Sequence, residues 1–244
     1  MRVFVQCDEN GLFRDYDHFN AYTGFKEMGF ETIFFSDEEK LRKSNIEDVI
    51  VGYGGPIRAR LKDYGRAIPN IDYPESICKY LGRKIWKSTI NTINSNPDLW
   101  NVFVKPVINK SFKGRAVRSA KDLIGCGSTN GDQEVYVSDL LDFVSEYRVF
   151  VRYGNVLDMR HYYGAWDVLP DVEIIKKCIA DYVDSPKAYA IDFGVTHDGK
   201  TVFIEVNVSG SIGSYGLESI SYAKFIAARW AELTGTEDEC SFDV

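Results

Sequence analysis

Three oxygen-bearing side chains lie close together in a segment that the sequence predicts to be a β-hairpin. The Asp-Gly pair at 198–199 is a strong signal for a two-residue hairpin turn. If those two residues form the loop, Asp192 lies directly opposite Glu205. Asn207 then follows one step along the same face, because side chains alternate between the two faces of a strand.

Opposed carboxylates repel each other unless a cation lies between them. Directly opposed β carbons are about 4.5–5.5 Å apart, a distance at which like charges are unfavourable. Mg²⁺ takes oxygen ligands, commonly one or two carboxylates together with phosphates and water. Asp192, Glu205 and Asn207 are therefore predicted to be metal ligands, and a solvent-exposed polar face remains the alternative.

The other face of this hairpin is expected to pack on the core, because it is wholly apolar. Phe203 and Gly194 are expected on the polar face, where the glycine leaves room for a ligand. The apolar face carries Tyr189, Ile191, Phe193 and Val195 with Val202, Ile204, Val206 and Val208.

A lysine ends an apolar strand, and a basic segment follows it. Lys105 closes the run VFVK, where an ammonium group needs a partner. Gly114 would let backbone amides approach phosphate oxygens. The segment is either a loop that closes over a triphosphate or a solvent-exposed basic loop. Its cations, which precede the first acidic residue at 122, are Lys110, Lys113, Arg115, Arg118 and Lys121.

Two arginines also lie in strand-like segments. Arginine suits the bidentate capture of phosphate or carboxylate, so Arg148 and Arg160 are candidates for binding a phosphoryl group. The alternative is that each forms a surface ion pair, with Glu146 and Asp158 as partners.

Composition excludes several classes of protein. A net charge of -7 over 244 residues argues against nonspecific binding of nucleic acid. The five cysteines show no CxxC spacing and indicate neither a disulfide framework nor a zinc site. No Walker A motif, signal peptide or membrane-spanning apolar run is recognised, so we expect a cytoplasmic protein.

Predicted elements place these residues in two regions. The first, roughly 1–70, alternates strands and helices and indicates a small parallel α/β unit with a glycine-rich turn at 52–56. The second is antiparallel, with helices, and begins at 101 after a linker at 68–74. A helix at 75–81 lies between the linker and this region. The strands of the region are predicted at 102–106, 134–137, 147–153, 156–161, 189–196 and 201–208, with a hairpin turn at 154–155 and helices at 173–184 and 217–233.

Taken in order, these segments resemble the ATP-grasp superfamily. The similarity covers about 75–235 and is closest to the branch of ribosomal-protein-modifying ligases and their phage and bacterial relatives. The matching pieces are FVKPV (103–107), KSFKGRAV (110–117), EVYVSDLLDF (134–143), EYRVFV (146–151), NVLDMRHY (155–162) and DFG with FIEVNVSGSIG (192–213).

The resemblance implies an α+β, α/β fold of two domains. A small N-terminal parallel domain over 1–72 would precede an ATP-grasp domain over 73–244. The latter would consist of two antiparallel-sheet lobes, about 73–136 and 137–244, that clasp the nucleotide.

The resemblance also implies roles for individual residues. Lys105 would bind the nucleotide, and Lys113 and Gly114 would lie in the loop that covers its phosphates. The lysine that the family carries on the preceding strand has no clean counterpart. Arg83, Lys84 and Lys87 are the candidates, and Lys87 is chosen.

Further roles concern the base, the reacting phosphate and the metal. The hinge backbone at Glu134, Tyr136 and Val137 would read adenine, with Asp139 near the ribose. Arg148 and Arg160 would hold the γ-phosphate and the acyl phosphate, and the segment at 209–213 would line the acceptor side. The metal ligands would be Asp192, Glu205 and Asn207.

The implied activity is that of an ATP-dependent carboxylate–amine ligase with two Mg²⁺ ions and an acyl-phosphate intermediate. The implied substrates are a small-molecule or peptide carboxylate and an amine, on an amino acid, a peptide or a protein end. A non-catalytic ATP-binding module and an ATP-dependent phosphotransferase are the alternatives.

Overall fold

Three β-sheets organise the residues that the structure, a computed structural model, describes: 1–107, 112–127, 131–208 and 211–242. The first sheet is parallel, with its strands in the order β2-β1-β3. We call it the N-terminal sheet, and its elements are β1 (Arg2–Gln6), α1 (Tyr16–Glu27), β2 (Glu31–Phe35), α2 (Glu38–Leu41), β3 (Val49–Val51) and α3 (Gly54–Asp63). The predicted parallel α/β unit is confirmed.

The glycine-rich stretch at 52–56 is only partly a turn. Residues 54–56 form the first turn of α3, where proline costs no helical hydrogen bond. Gly52 is required by close approach, because a β carbon there would lie 2.9 Å from Oε1 of Gln6.

The second sheet, which we call the central sheet, is antiparallel with strand order β4-β7-β5-β6. Neither β4 nor β6 is predicted from the sequence, since β4 is a partly exposed edge strand and β6 is short. The sheet extends to 139, beyond the predicted lobe boundary, and the domain division stays a prediction. Its elements are β4 (Ile85–Thr89), α4 (Ile90–Ser95), β5 (Val102–Pro106), β6 (Arg115–Val117) and β7 (Glu134–Asp139).

The third sheet, the C-terminal sheet, is antiparallel with strand order β11-β10-β8-β9. A 3₁₀ helix (Glu75–Tyr80) and α5 (Val172–Asp181) pack on one face. The β8–β9 turn is at Tyr153 and Gly154, one residue earlier than predicted, and both have positive φ as a type I′ turn requires. The elements are β8 (Phe143–Arg152), β9 (Asn155–Gly164), α5 (Val172–Asp181), β10 (Ala188–Thr196), β11 (Thr201–Val208) and α6 (Ser219–Thr234).

The β10–β11 hairpin has a longer loop than the Asp-Gly signal predicts. Thr196 donates its N–H to the carbonyl of Lys200, so the loop has the three residues 197–199. Ile204 is then the extra residue of a β-bulge, which restores the register. Asp192 therefore pairs with Glu205 as predicted, although through a longer loop and a bulge and not through a two-residue turn.

The same bulge overturns the predicted surroundings of the polar face. Phe203 pairs with Phe193 and is fully buried in the apolar core, not on the polar face. Gly194 does not leave room for a ligand. A β carbon there would lie 2.4 Å from the ring of Phe143, which fills the space.

The N-terminal and C-terminal sheets share one core through α1 and α6. Phe150 and Ala190 of the C-terminal sheet pack in the same cluster as β1, β3 and α6. Gly24 of α1 lies so close to α6 that a β carbon would be 2.0 Å from the carbonyl oxygen of Ser219. As predicted, α6 stops at Gly235, which has a φ of 78°. None of the helices in the described ranges is long and apolar enough to span a bilayer.

We expect Gly24→Ala to destabilise the protein, because its methyl group has no space beside the backbone of α6. Overpacking of this kind costs about 3 kcal/mol. Gly127→Ala is the matched control, since a β carbon at exposed Gly127 meets nothing within 4 Å. Urea unfolding measures both variants, and equal stabilities would contradict the close packing of α1 on α6.

Candidate active site

Four charged side chains form a row across one face of the C-terminal sheet. Asp192 on β10 pairs with Glu205 on β11 and with Arg148 on β8, which in turn pairs with Arg160 on β9. From β11 to β9, the row therefore consists of two acidic residues followed by two basic residues. Strand pairing alone brings together four of the residues that the sequence singled out.

Asp192 is the anchor of this acid–base row, with only 2% of its surface exposed. Arg148 donates from Nε to Oδ1 and from Nη2 to Oδ2 of Asp192, both at 2.8 Å. Asn207 donates from Nδ2 to Oδ2 at 2.9 Å. Burial raises the pKa of Asp192, and the ion pair with Arg148 opposes that rise. These contacts fix the orientation of the carboxylate.

Aromatic rings also contact the guanidinium of Arg148. Its guanidinium carbon lies 4.9 Å from the ring centroid of Tyr215, which stacks on Tyr162 with centroids 5.1 Å apart. The Tyr162 hydroxyl donates to Glu146 at 2.6 Å. Glu146 is therefore hydrogen-bonded to a tyrosine, and the ion pair of Arg148 is with Asp192.

Arg160 binds backbone carbonyls that precede α6. Its Nε donates to the carbonyl of Tyr215 at 3.2 Å, and its Nη2 donates to that of Gly216. Nη1 forms the expected ion pair with Asp158, at 3.1 Å. The arginine therefore ties the edge of the C-terminal sheet to the segment before α6.

A second row crosses the central sheet. Tyr136 on β7 pairs with Lys87 on β4 and with Lys105 on β5, so the three side chains share one face. Each ammonium nitrogen lies 5.7 Å from the tyrosine ring centroid. Lys87 is thus placed symmetrically to Lys105. Of the other two candidates, Lys84 lies before the strand and Arg83 is bound to backbone carbonyls.

An ion pair joins the two rows. Nζ of Lys105 lies 2.5 Å from Oε2 of Glu205 and 2.9 Å from Oδ2 of Asp72, and 4.4 Å from the ring centroid of Tyr73. Burial alone would raise the pKa of Glu205, but the Lys105 ammonium and its hydrogen bond outweigh this and hold that pKa below its usual value. For Lys105, burial opposes the charge, yet Glu205 and the other neighbours raise the pKa.

The predicted hinge lies inside the central sheet. Glu134, Tyr136 and Val137 belong to β7, which is paired with β4 on one side and β5 on the other. Their peptide groups are therefore engaged in the two ladders, and Val137 is fully buried. That this backbone reads adenine stays a prediction, and the Tyr136 side chain is the part of the segment that belongs to the second row. The carboxylate of Asp139 accepts the Lys84 N–H at 3.0 Å.

The basic segment packs beside Lys105. A β carbon on Gly114 would lie 2.5 Å from the ring of Phe103 and 3.3 Å from Cβ of Lys105, so the backbone at Gly114 passes close to both side chains. Lys113 is exposed. Lys110 lies outside the described residues.

Part of the predicted acceptor segment can be placed. Residues 209–210 lie outside the described ranges, whereas 211–213 are described. Ser214, which follows them, donates from its N–H and its hydroxyl to Asp17 at 2.8 and 2.7 Å. This segment therefore connects the C-terminal sheet to α1.

A cavity of about 490 Å³ opens beside the second row. Its walls are mainly aromatic and apolar, which suits a flat organic ring. They include Tyr73, Leu81, Arg83, Trp86, Lys87 and Tyr136.

The donor set at the junction of the rows fits Mg²⁺. Glu205 and Asp192 supply carboxylate oxygens from directly paired residues, and Asn207 can supply an amide oxygen. In the described part of the chain, no three His, Cys, Asp or Glu side chains form a metal cluster, and the amide of Asn207 as a third ligand stays a prediction.

Comparison of the sequence with family models assigns the chain. The model described as ATP-grasp domain, R2K clade family 2, matches residues 80–225. The chain belongs to the ATP-grasp family. The predicted superfamily and fold class are thereby confirmed, together with the expectation of an ATP-grasp enzyme. A search of curated protein sequences finds no significant match.

Solved ATP-grasp structures have the same fold. D-alanine–D-alanine ligase from Bacillus anthracis has a TM-score of 0.59 at 15% identity, covering 96% of this chain and 99% of that one. The ATP-grasp ligase PsnB, complexed with minimal precursor, has a TM-score of 0.53 at 13% identity, covering 94% and 98%. The macrocyclase MdnC from Microcystis aeruginosa MRC, bound with precursor peptide MdnA, has a TM-score of 0.51 at 12% identity, covering 97% and 100%.

Several residues around this ATP-grasp site were not found from the sequence. Asp72 and Tyr73 lie in the predicted linker, where no periodicity marks a partner for Lys105. Tyr162 and Tyr215 are distant in sequence and meet only through folding. For the polar partners around Arg148 the sequence offers one signal. Glu146 lies two residues before Arg148 and hence on the same face of the strand.

We expect Lys105→Met to destabilise the protein more at neutral pH than in acid. Without the cation, the pKa of Glu205 loses the largest effect that lowers it, so burial makes that pKa higher in the variant than in the unaltered protein. The lost pair is worth about 2 kcal/mol near pH 7, a modest value because the two side chains keep 14% and 28% exposure. Urea unfolding at neutral pH and at about pH 4 gives the comparison.

The sign follows from the two pKa shifts. In the unaltered protein the lowered pKa of Glu205 gives stability that is lost as pH falls through it. In the variant the higher pKa makes protonation of Glu205 more favourable, so the two proteins converge in acid. Lys200→Met, which breaks the exposed Lys200–Asp198 pair, is the control and should change little. Equal destabilisation by Lys105→Met at both pH values would contradict the role of Glu205.

Proposed function

We propose that this ATP-grasp protein is an ATP- and Mg²⁺-dependent carboxylate–amine ligase that works through an acyl phosphate. One observation carries the proposal. The Lys105–Glu205 ion pair joins a row of nucleotide-type residues in the central sheet to a row of metal- and phosphate-type residues in the C-terminal sheet. A triphosphate in the cleft between the sheets would contact both rows.

The nucleotide would lie between the two sheets. The base would occupy the aromatic cavity beside Tyr136, and Lys87 and Lys105 would contact phosphates from the central sheet. Gly114 and Lys113 would cover the phosphates, supported by the position of Gly114 against Lys105. Lys105 would then exchange carboxylate partners for phosphate oxygens.

Glu205, Asp192 and Asn207 would hold the magnesium ions, two in the expectation drawn from the family resemblance. Bound Mg²⁺ supplies charge neutralisation for the transferring phosphoryl group. The protein's own task is to keep the two carboxylates opposed, and Arg148 does so by its bidentate contact with Asp192.

The arginines would serve the reacting group. Arg148 uses Nε and Nη2 on Asp192, which leaves Nη1 outside that pair for a phosphoryl oxygen. The γ-phosphoryl group moves to the substrate carboxylate and ADP leaves; the amine then attacks the acyl carbon and phosphate departs. Arg160, on the adjacent edge strand β9, holds the Tyr215–Gly216 backbone, so it would act on the acyl side.

The substrates would be amino acids or peptides. This part of the proposal is supported by the activities named for structures of the same fold: D-alanine–D-alanine ligase, and PsnB and MdnC bound to precursor peptides. The contact of Ser214 with Asp17 brings the N-terminal helix to the acceptor side, where it would contribute to substrate choice.

Hydroxylamine trapping separates the ligase from its alternatives. An acyl phosphate reacts with hydroxylamine to give a hydroxamate, which a non-catalytic ATP-binding module cannot form. ADP release that requires both a carboxylate and an amine, with an amide product by mass analysis, would exclude a phosphotransferase. We therefore propose a screen of amino acids and peptides scored by ADP release.

We expect Glu205→Gln to abolish metal-dependent turnover, because an amide replaces a carboxylate metal ligand at the centre of the site. The loss should be about 100-fold or more in kcat, with a near-native circular dichroism spectrum. Glu173→Gln is the control, since Glu173 is 68% exposed and pairs only with Lys176 among the described residues. Normal turnover by Glu205→Gln would remove the metal assignment.

We expect Lys105→Ala and Lys87→Ala each to weaken ATP binding by about 10-fold or more, because both ammonium groups flank Tyr136. Lys84→Ala is the matched control, since that exposed lysine uses its backbone on Asp139. Isothermal titration with a non-hydrolysable ATP analogue measures all three. A loss of affinity in Lys84→Ala without a loss in Lys87→Ala would assign the nucleotide contact to Lys84 and not to Lys87.

A further inference from the structure

Arg83 makes contacts that neither charged row explains. It lies in the short connection between the 3₁₀ helix and β4. Its Nη1 donates to the carbonyl oxygens of Leu81 at 3.2 Å and Phe203 at 2.9 Å, and its Nη2 donates to that of Ile204 at 2.9 Å. A half-buried guanidinium is thus occupied by backbone carbonyls of the metal-bearing strand.

Two of those carbonyls belong to the β-bulge of β11. Ile204 is the extra residue there, and β11 is the edge strand of its sheet. A bulge interrupts the ladder and leaves backbone groups without a strand partner. The planar guanidinium presents parallel N–H groups, which suit two adjacent oxygens in a way that a lysine ammonium does not.

The neighbouring residue confirms that the connection is closely docked on β11. Gly82 has a φ of +62°, and a β carbon there would lie 2.7 Å from Cγ1 of Val202. On the other side of Glu205, the N–H of Val206 donates to the carbonyl of Asp72 at 2.9 Å. Segments outside the sheet therefore hold the residues both before and after Glu205.

We propose that Arg83 is a positioning residue for Glu205, acting through the bulge and not through the nucleotide. Side chains alternate along a strand, so a one-residue slip at Ile204 would turn Glu205 away from Asp192. Arg83 prevents that slip by holding the bulge carbonyls. The proposal rests on the proposed function, because it concerns the metal ligand of that site.

The competing role is direct binding of ATP phosphates, since Arg83 also borders the aromatic cavity. The two roles predict different losses. A positioning residue affects the metal and the strand, whereas a phosphate ligand affects nucleotide affinity even without metal. The variants are Arg83→Gln and Arg83→Lys, and Arg42→Gln is the control because Arg42 is 71% exposed.

Three measurements on the full chain decide between them. Hydrogen exchange reports on the amides of 203–206 in metal-free protein, electron paramagnetic resonance gives Mn²⁺ affinity with a non-hydrolysable ATP analogue, and titration in EDTA gives metal-free nucleotide affinity. Both Arg83 variants should exchange faster at 203–206 and bind Mn²⁺ about 10–100-fold more weakly. Their metal-free nucleotide affinity should match that of Arg42→Gln.

Two outcomes would overturn the assignment of Arg83. Unchanged exchange and Mn²⁺ affinity would show that the bulge keeps its register without Arg83. A fall in metal-free nucleotide affinity with unchanged exchange would make Arg83 a phosphate ligand. Absence of Mn²⁺ binding by the unaltered protein contradicts the proposed function instead, and the exchange measurement still tests the bulge contact in that case.

Discussion

The contact between Lys105 and Glu205 is the constraint on which the site depends. Each group alone would be unfavourable: a lysine ending an apolar strand, and a carboxylate facing Asp192 across a hairpin. Paired, they neutralise each other, as Arg148 does for Asp192. The protein therefore supplies a partner for each of these buried charges, and in the proposed function phosphates and Mg²⁺ would replace those partners.

Much of this arrangement follows from strand periodicity. The sequence correctly predicts that Asp192 faces Glu205. The longer loop shifts the strand register by one residue, and the bulge shifts it back by one. That prediction holds although the two-residue turn behind it is wrong. The error appears at Phe203, which an uninterrupted register places on the polar face and the bulge places in the core.

Contacts between distant segments could not be predicted. Lys87 is recognisable as the partner of Lys105 only once β7 lies between their strands with Tyr136. In the sequence Arg83 is one cation among several. Only the structure shows that its guanidinium binds the carbonyls of the bulge in β11. The position of the predicted hinge is hidden for a related reason: the EVYV pattern indicates a strand but not whether both of its edges are paired.

The shared core of α1 and α6 determines which part of the molecule can move. The N-terminal and C-terminal sheets are joined by apolar packing around Gly24, so their separation would expose a continuous core. The central sheet has an apolar cluster of its own. It meets its neighbours through polar contacts such as Lys105 with Glu205 and Asn70 with Val107, and through the partly buried Ile85, which packs on the apolar cluster of the C-terminal sheet. If the cleft opens to admit a nucleotide, the separation would fall between the central and C-terminal sheets, where the Lys105–Glu205 ion pair makes it sensitive to ionic strength.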